Sequence, residues 1–264
     1  MSPLHHPAPE TIRTPSGMTA HLWPRENADH APVLLIHGYG SNVLFNWVKT
    51  GWLDPLAAQG RSILAVDLPG HGTSADVDPT GVRSSDLQSD LKGLLTEFDG
   101  GAEGQAAVVH GYSLGSRIAW EFAAGHPQLV GTLVMGGSAA SDRLAAVDAE
   151  QARRWAQDGT PPQDELTRSV VTVAAAVPDQ NVRHVVELLL SLAEDPYVPK
   201  AAVPAVPTLV VAGARDEVAS DASQLAELVR HRGAWSRYVE IPGRNHVNVL
   251  TARAYKDAVL HALS

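Results

Sequence analysis

The stretch Val108-Val109-His110-Gly111-Tyr112-Ser113-Leu114-Gly115 holds the residue of this chain best placed for covalent chemistry. A short apolar run stops at Gly-x-Ser-x-Gly and gives way at once to a helical pattern. That pattern runs from Ser116 to Ala124, with Ile118, Ala119, Phe122 and Ala123 on one face and Gly125 and Pro127 closing it. Strand, Gly-x-Ser-x-Gly, helix is the context that turns the pentapeptide into a nucleophile elbow. The reason is steric: a serine on so tight a turn needs neighbours without a Cβ, so that strand and helix can approach each other. The turn lifts the Ser113 hydroxyl clear of the sheet edge and leaves the Leu114 N–H at the positive end of a helix, free to bind an oxyanion.

Two other strand ends offer partners. Val33-Leu34-Leu35-Ile36 reads as a strand buried on both faces, and it ends in His37-Gly38-Tyr39-Gly40. Glycines there permit a turn whose N–H groups point into a crevice, and the Tyr39 N–H is assigned as the second oxyanion donor. His37 precedes the serine on an inner strand and is assigned to hydrogen bonds within its own loop rather than to proton transfer. Pro207 to Ala212 is another buried run, stopping at Gly213-Ala214-Arg215-Asp216-Glu217. Parallel strands share a carboxyl edge, so a carboxylate at that point faces the same crevice as Ser113. Asp216 is preferred, with Glu217 as the alternative. Asp67, in the tight turn Asp67-Leu68-Pro69-Gly70-His71-Gly72-Thr73-Ser74, is read as a structural carboxylate where the chain reverses.

The elements that must carry these groups follow from periodicity. Thr19 to Trp23 alternates weakly and reads as an edge strand. Ser62 to Val66 and Thr132 to Met135 read as further buried strands, and Arg237 to Ile241 as the last one. Ser84 to Phe98 places Leu87, Leu91, Leu94, Leu95 and Phe98 on one helical face. From Ser138 to about Pro204 the strand pattern disappears. Three helical periods replace it, at Ser141 to Gln157, Asp164 to Val177 and Gln180 to Ala193. Helical periods also span Ser220 to His231 and the C-terminal segment to Leu263. Apolar runs alternating with helical periods predict an α/β fold on a mostly parallel sheet.

Composition narrows the function classes. At 264 residues the chain can bury a large core, and its formal charge of −9 provides no basic face for nucleic acid. The absence of cysteine excludes a disulfide scaffold, a thiol nucleophile and a Cys-ligated zinc site, and fits a cytoplasmic protein. No polybasic run, signal peptide or membrane-spanning stretch is expected. His5-His6 reads as part of a Pro/His-rich N-terminal segment rather than a metal site, and Arg153-Arg154 as a solvated face.

Taken in order, His37-Gly38-Tyr39-Gly40, the Asp67 to Ser74 turn, Gly111-Tyr112-Ser113-Leu114-Gly115, Gly213-Ala214-Arg215-Asp216 and Asn245-His246 resemble the α/β-hydrolase pattern over almost the whole chain. The resemblance implies a mostly parallel sheet of about eight strands flanked by helices, with residues 138–204 forming a helical cap and residues 1–137 and 205–264 the core domain. It also implies a Ser113–Asp216–His246 triad, with His246 as the base and the Leu114 and Tyr39 N–H groups as the oxyanion hole. Tyr39, Trp47, Tyr112 and Leu114 are the candidate substrate contacts. The family more often has a small residue where this chain has Asn245. The expected chemistry is acyl transfer to water without metal or organic cofactor, slowing as acid protonates His246. A serine at position 113 sets aside the family's dehalogenases and epoxide hydrolases, which attack with a carboxylate. The first expectation is a carboxylesterase for small to medium apolar esters. Its rivals are a C–C bond hydrolase of ring-cleavage products, a lactonase, a cofactor-free haloperoxidase, and a non-catalytic ligand receptor on the same fold. Only a small-molecule substrate is expected as partner, and the oligomeric state is left open.

Overall fold

Val33–Ile36 (β3), Ile63–Asp67 (β4), Ala107–Tyr112 (β5) and Thr208–Gly213 (β7) are buried along their whole length, as continuous apolar runs require. In the computed structural model, which describes residues 7–26, 28–98, 105–178 and 180–264, they form the centre of an eight-stranded sheet. Residues 1–6, with the His5-His6 pair, lie outside the described part. The remaining strands are Glu10–Arg13 (β1), Thr19–Trp23 (β2), Val130–Gly136 (β6) and Ser236–Ile241 (β8), and the sheet order is β1-β2-β4-β3-β5-β6-β7-β8. β1, β2 and β4 pair antiparallel, and every other neighbour pairs parallel. β2 is therefore not the edge strand expected from its alternation. β1 takes that place, with all four residues exposed, and β2 is shielded beneath it.

Helices cover both faces of the sheet. Ser84–Glu97 (α2), Leu114–Gly125 (α3) and Ser223–His231 (α7) pack their apolar sides into one cluster with Leu34, Ile36, Val109 and Met135. A π-helical turn at Leu44–Val48, Leu53–Ala58 (α1) and Arg253–Leu263 (α8) close the opposite face over Val33, Leu35, Val108 and Val211. From β3 the chain moves outward to β4 and then returns to β5 on the other side of β3. The sheet order reverses there, and the crevice beyond the carboxyl ends of β3 and β5 is where such sheets bind ligands. The register pairs Ile36 with Gly111, which sets the loop after β3 beside the end of β5.

Between β6 and β7 the chain is helical: Ala149–Asp158 (α4), Glu165–Ala174 (α5) and Val182–Ala193 (α6). Asp148, Asp164 and Asn181 cap them, each side chain accepting from an N–H in the first turn. α4 starts later than its periodicity suggested, because Leu144–Ala146 forms a separate 3-10 turn. The three helices share a small apolar core of Ala152, Val171, Ala174, Val185, Val186, Leu189 and Leu190. α6 has a second buried face, since Leu188 and Leu192 belong to the main core. Arg153 pairs with Glu187 and Arg154 with Glu150 at half-exposed positions on this insertion. No helix among the described residues is long and apolar enough to cross a membrane.

Candidate active site

Ser113 sits between β5 and α3 at φ 53° and ψ −117°, the one non-glycine residue with positive φ among those described. Such a conformation costs on the order of 1–3 kcal/mol and persists only where its surroundings enforce it. Here they do. The Ser113 N–H donates to the Gly136 carbonyl at 2.7 Å, and the Ser116 hydroxyl donates to the Gly111 carbonyl at 2.7 Å while accepting the Gly136 N–H at 3.0 Å. The flanking glycines are required by contact with backbone. A Cβ on Gly115 would lie 2.2 Å from the Ile36 carbonyl oxygen, and one on Gly111 would lie 2.3 Å from that of Gly115.

The elbow faces His246, whose Nε2 is 3.0 Å from the Ser113 Oγ. The other ring nitrogen, Nδ1, is 3.0 and 2.9 Å from the two oxygens of Asp216. The Asp216 side chain is fully buried and also accepts the Ala219 N–H at 3.0 Å. An ionised carboxylate only accepts, so Nδ1 carries the proton and Nε2 is left to receive the one from Ser113. Glu217, the alternative acid, is exposed and outside this chain of hydrogen bonds. Asn245 accepts the Val247 and Asn248 N–H groups at 3.1 and 3.2 Å, which gives the residue before His246 a turn-forming role.

The loop after β3 is built around two buried, neutral histidines. His37 Nδ1–H donates to the Gly38 carbonyl at 2.8 Å while its Nε2 accepts the Leu68 N–H at 3.0 Å. His71, on the β4 loop, reciprocates: its Nε2 accepts the Gly40 N–H at 3.3 Å and its Nδ1–H donates to the Pro69 carbonyl at 3.0 Å. Burial lowers the His71 pKa to about 3. Burial also lowers that of His37, against the pull of Asp67. Asp67 ties the clasp to the sheet by accepting from Val43 N–H (2.7 Å), Thr73 N–H (2.9 Å) and His21 Nε2 (3.0 Å). Burial alone would raise its pKa, but His21, His37 and these N–H donors outweigh it and hold the carboxyl at about 2. The Gly38–Tyr39 peptide thus has its carbonyl pinned by His37 and by the Ser41 N–H, and a trans peptide then directs the Tyr39 N–H the opposite way. Neither the Tyr39 nor the Leu114 N–H has an acceptor among the described residues.

The four candidate substrate contacts divide. The Tyr39 ring lies where the main core meets the core of the helical insertion, edge-on to His71, and its buried hydroxyl has no hydrogen-bond partner among the described residues. The Leu114 side chain is 7 % exposed and packs in the main core. Trp47 is corrected outright: the π-helical turn swings its indole inward, where it is fully buried against Trp52 and His110 on the far face of the sheet. Tyr112 packs on His246 and donates its hydroxyl to the His246 carbonyl. Sequence reading missed His71 and Ser116. The only cue to His71 was its place between two glycines, and Ser116 resembled any first-turn serine.

The helical insertion reaches the two loops that clasp each other. Gln180 Nε2–H donates to the Gly40 carbonyl at 3.1 Å, and Gly40 and Gly70 have no room for a Cβ because Val173 and His184 press on them. Among the described residues no cluster of three or more His, Asp or Glu side chains could hold a metal ion. A serine hydroxyl hydrogen-bonded to an imidazole, itself backed by a buried carboxylate, is an arrangement able to carry acyl transfer.

The family model described as the alpha/beta hydrolase family matches residues 33–258. The chain is 37% identical over 121 residues to a 2-hydroxy-6-oxononadienedioate/2-hydroxy-6-oxononatrienedioate hydrolase of Cupriavidus pinatubonensis, covering 43% of this chain and 38% of that protein. It is also 37% identical over 151 residues to an esterase of Mycobacterium tuberculosis, covering 56% of this chain and 46% of the relative. The matched stretch is thus less than half the length of either protein. A solved thermophilic esterase from Thermogutta terrifontis superposes with a TM-score of 0.70 at 20% identity, covering 98% of this chain and all of that one, which is a likeness of fold.

Proposed function

Because the chain belongs to the alpha/beta hydrolase family, we propose that it hydrolyses carboxylic esters of small to medium apolar substrates through an acyl-serine intermediate on Ser113. The observation that carries this reading is the unbroken series Ser113 Oγ, His246, Asp216, with 3.0 Å at the first link and 2.9 Å at the last. In this mechanism His246 takes the Ser113 proton as the hydroxyl attacks the ester carbonyl, then returns it to the departing alcohol. Asp216 holds the imidazole tautomer and stabilises the imidazolium. The Tyr39 and Leu114 N–H groups receive the tetrahedral oxyanion, where losing one such donor costs about 3 kcal/mol of barrier. Water, activated by the same histidine, then frees the acid. The insertion acts as a cap, a reading supported by the contact of Val173, Gln180 and His184 with the β3 and β4 loops.

A second reading keeps the same three groups and cleaves a carbon–carbon bond in a ring-cleavage product. It rests on the likeness to the Cupriavidus pinatubonensis hydrolase. Turnover of p-nitrophenyl esters of increasing acyl length, beside a vinylogous diketone and a lactone, separates the two, using wild type and Ser113→Ala. Ser113-dependent ester cleavage with little diketone turnover is the expected result. Fast diketone cleavage with trace ester activity moves the function to the second reading. Full activity in Ser113→Ala ends both.

A further inference from the structure

The geometry points to Tyr112 as the positioning residue that holds His246 in line between Asp216 and Ser113; the inference rests on the acyl-transfer reading above. Three observations meet at this ring. Its hydroxyl donates to the main-chain carbonyl of His246 itself, and its face lies 5.5 Å from the imidazole, centroid to centroid, tilted by 31°. One side chain thus fixes both the backbone and the ring of the same residue.

The space for the tyrosine is cut by glycines. A Cβ on Gly136 would stand 2.8 Å from its Cδ2, and one on Gly137 would stand 3.2 Å from its Cζ and 3.1 Å from His246 Cε1. Gly38 faces its other edge, where a Cβ would lie 3.5 Å from Cδ1. The consecutive glycines at the end of β6 therefore let Tyr112 and His246 sit side by side. The tyrosine is 5 % exposed, which leaves it no free face for a substrate.

The loop bearing His246 needs such a hold. Asn245 and Val247 on either side of the histidine are exposed, Val247 at 86 %. The other anchors are local or lie two residues back: Asn245 closes its own turn, and the Arg244 carbonyl accepts the Arg215 N–H at 2.8 Å. Tyr112 is the tie from this histidine to the end of β5, the strand that delivers Ser113. Base and nucleophile are thereby referenced to one strand end. Burial, with the Asp216 charge adding to it, pushes the Tyr112 hydroxyl well above its ordinary value, so it remains a donor across the working pH range.

The test compares wild type, Tyr112→Phe and Ser113→Ala with p-nitrophenyl butyrate and a fluorophosphonate that labels activated serines. The low-field Nδ1 proton resonance of His246 and the thermal unfolding midpoint are recorded on the ligand-free proteins. Phenylalanine keeps the ring and removes only the tie, so the fold and KM should hold. Losing one positioning hydrogen bond should lower kcat and the labelling rate together by about tenfold, and broaden the Nδ1 resonance by faster exchange. Unchanged kcat, labelling and resonance in Tyr112→Phe overturn the assignment. A raised KM at unchanged kcat also overturns it, because Tyr112 would then be a substrate contact. If wild type labels no faster than Ser113→Ala, the acyl-transfer reading itself fails. The Nδ1 resonance tells that outcome apart, since it reports the hold on His246 without any turnover.

Discussion

The two sides of the crevice are built in opposite ways. On one side the β3 and β4 loops are locked by His37, His71 and Asp67, all at most 2 % exposed, with donors and acceptors matched across the clasp. On the other side His246 rides on an exposed loop, its side chain 26 % exposed, and meets the rest of the site through Asp216, Ser113 and Tyr112. The contrast follows from the work proposed for each side. Oxyanion donors act best when already aimed before charge develops, so rigidity and exclusion of water favour them. A base must gain and lose protons, which requires contact with substrate or solvent. Burial thus sorts these histidines: His37, His71 and His110 have pKa values depressed by desolvation and serve as neutral struts, while His246, the base proposed above, keeps an accessible side chain.

This contrast can be attacked in order of expected effect. Gly115→Ala forces a Cβ against main-chain carbonyls of the rigid side that cannot step aside. It should cost at least about 3 kcal/mol in urea unfolding or abolish soluble expression. Wild-type stability in that variant would show that elbow and β3 loop are not one block.

Acid comes next. His71 and His110 sit at about 3 in the folded protein, below the ordinary value of 6.5, so between these limits the unfolded chain binds more protons. Their contribution is complete above pH 6.5 and is lost as pH falls toward 3. Stability should drop by on the order of a few kcal/mol between pH 7.5 and 5, as read by urea midpoints. A curve flat across that interval would mean that the buried imidazoles accept protons in place.

His71→Phe keeps a ring but strands the Gly40 N–H and the Pro69 carbonyl, an expected loss of about 1–3 kcal/mol with slower ester turnover. Val247→Ser, on the open side, should change unfolding by less than about 0.5 kcal/mol and leave turnover intact. If that exposed residue proved as sensitive as His71, the division between the two sides would collapse.

The strands β3, β5 and β7 were legible because each is a short apolar run, and Ser113 and Asp216 could be picked out because each follows the end of such a run; β8 is half polar, and His246 was named through the family resemblance alone. β1 was not legible. Glu-Thr-Ile-Arg is exposed throughout and pairs with β2 alone, so no burial pattern marks it. The burial of Trp47 was not legible, because the π-helical turn at Leu44–Val48 rotates that position into the core. The direction of Tyr112 was within reach of sequence reasoning. Alternation along β5 sends Val108, His110 and Tyr112 to one face and Val109 to the other, away from an open mouth. The histidine clasp was hidden for a different reason: its partners are main-chain groups on separate loops, which carry no residue-type signal.

The double allegiance of α6 bears on how this protein could be re-engineered or could have diversified. Leu188 and Leu192 complete the main core, and the nearly buried Arg117 of α3 donates to the carbonyls of Leu192 and Asp195, whereas Val185 and Leu189 belong to the insertion. A graft that exchanged the whole insertion would tear a hole in the recipient's sheet domain. The natural seam lies ahead of α6, so a transplant limited to α4 and α5 would exchange the outer part of the proposed cap and leave its foundation with the host.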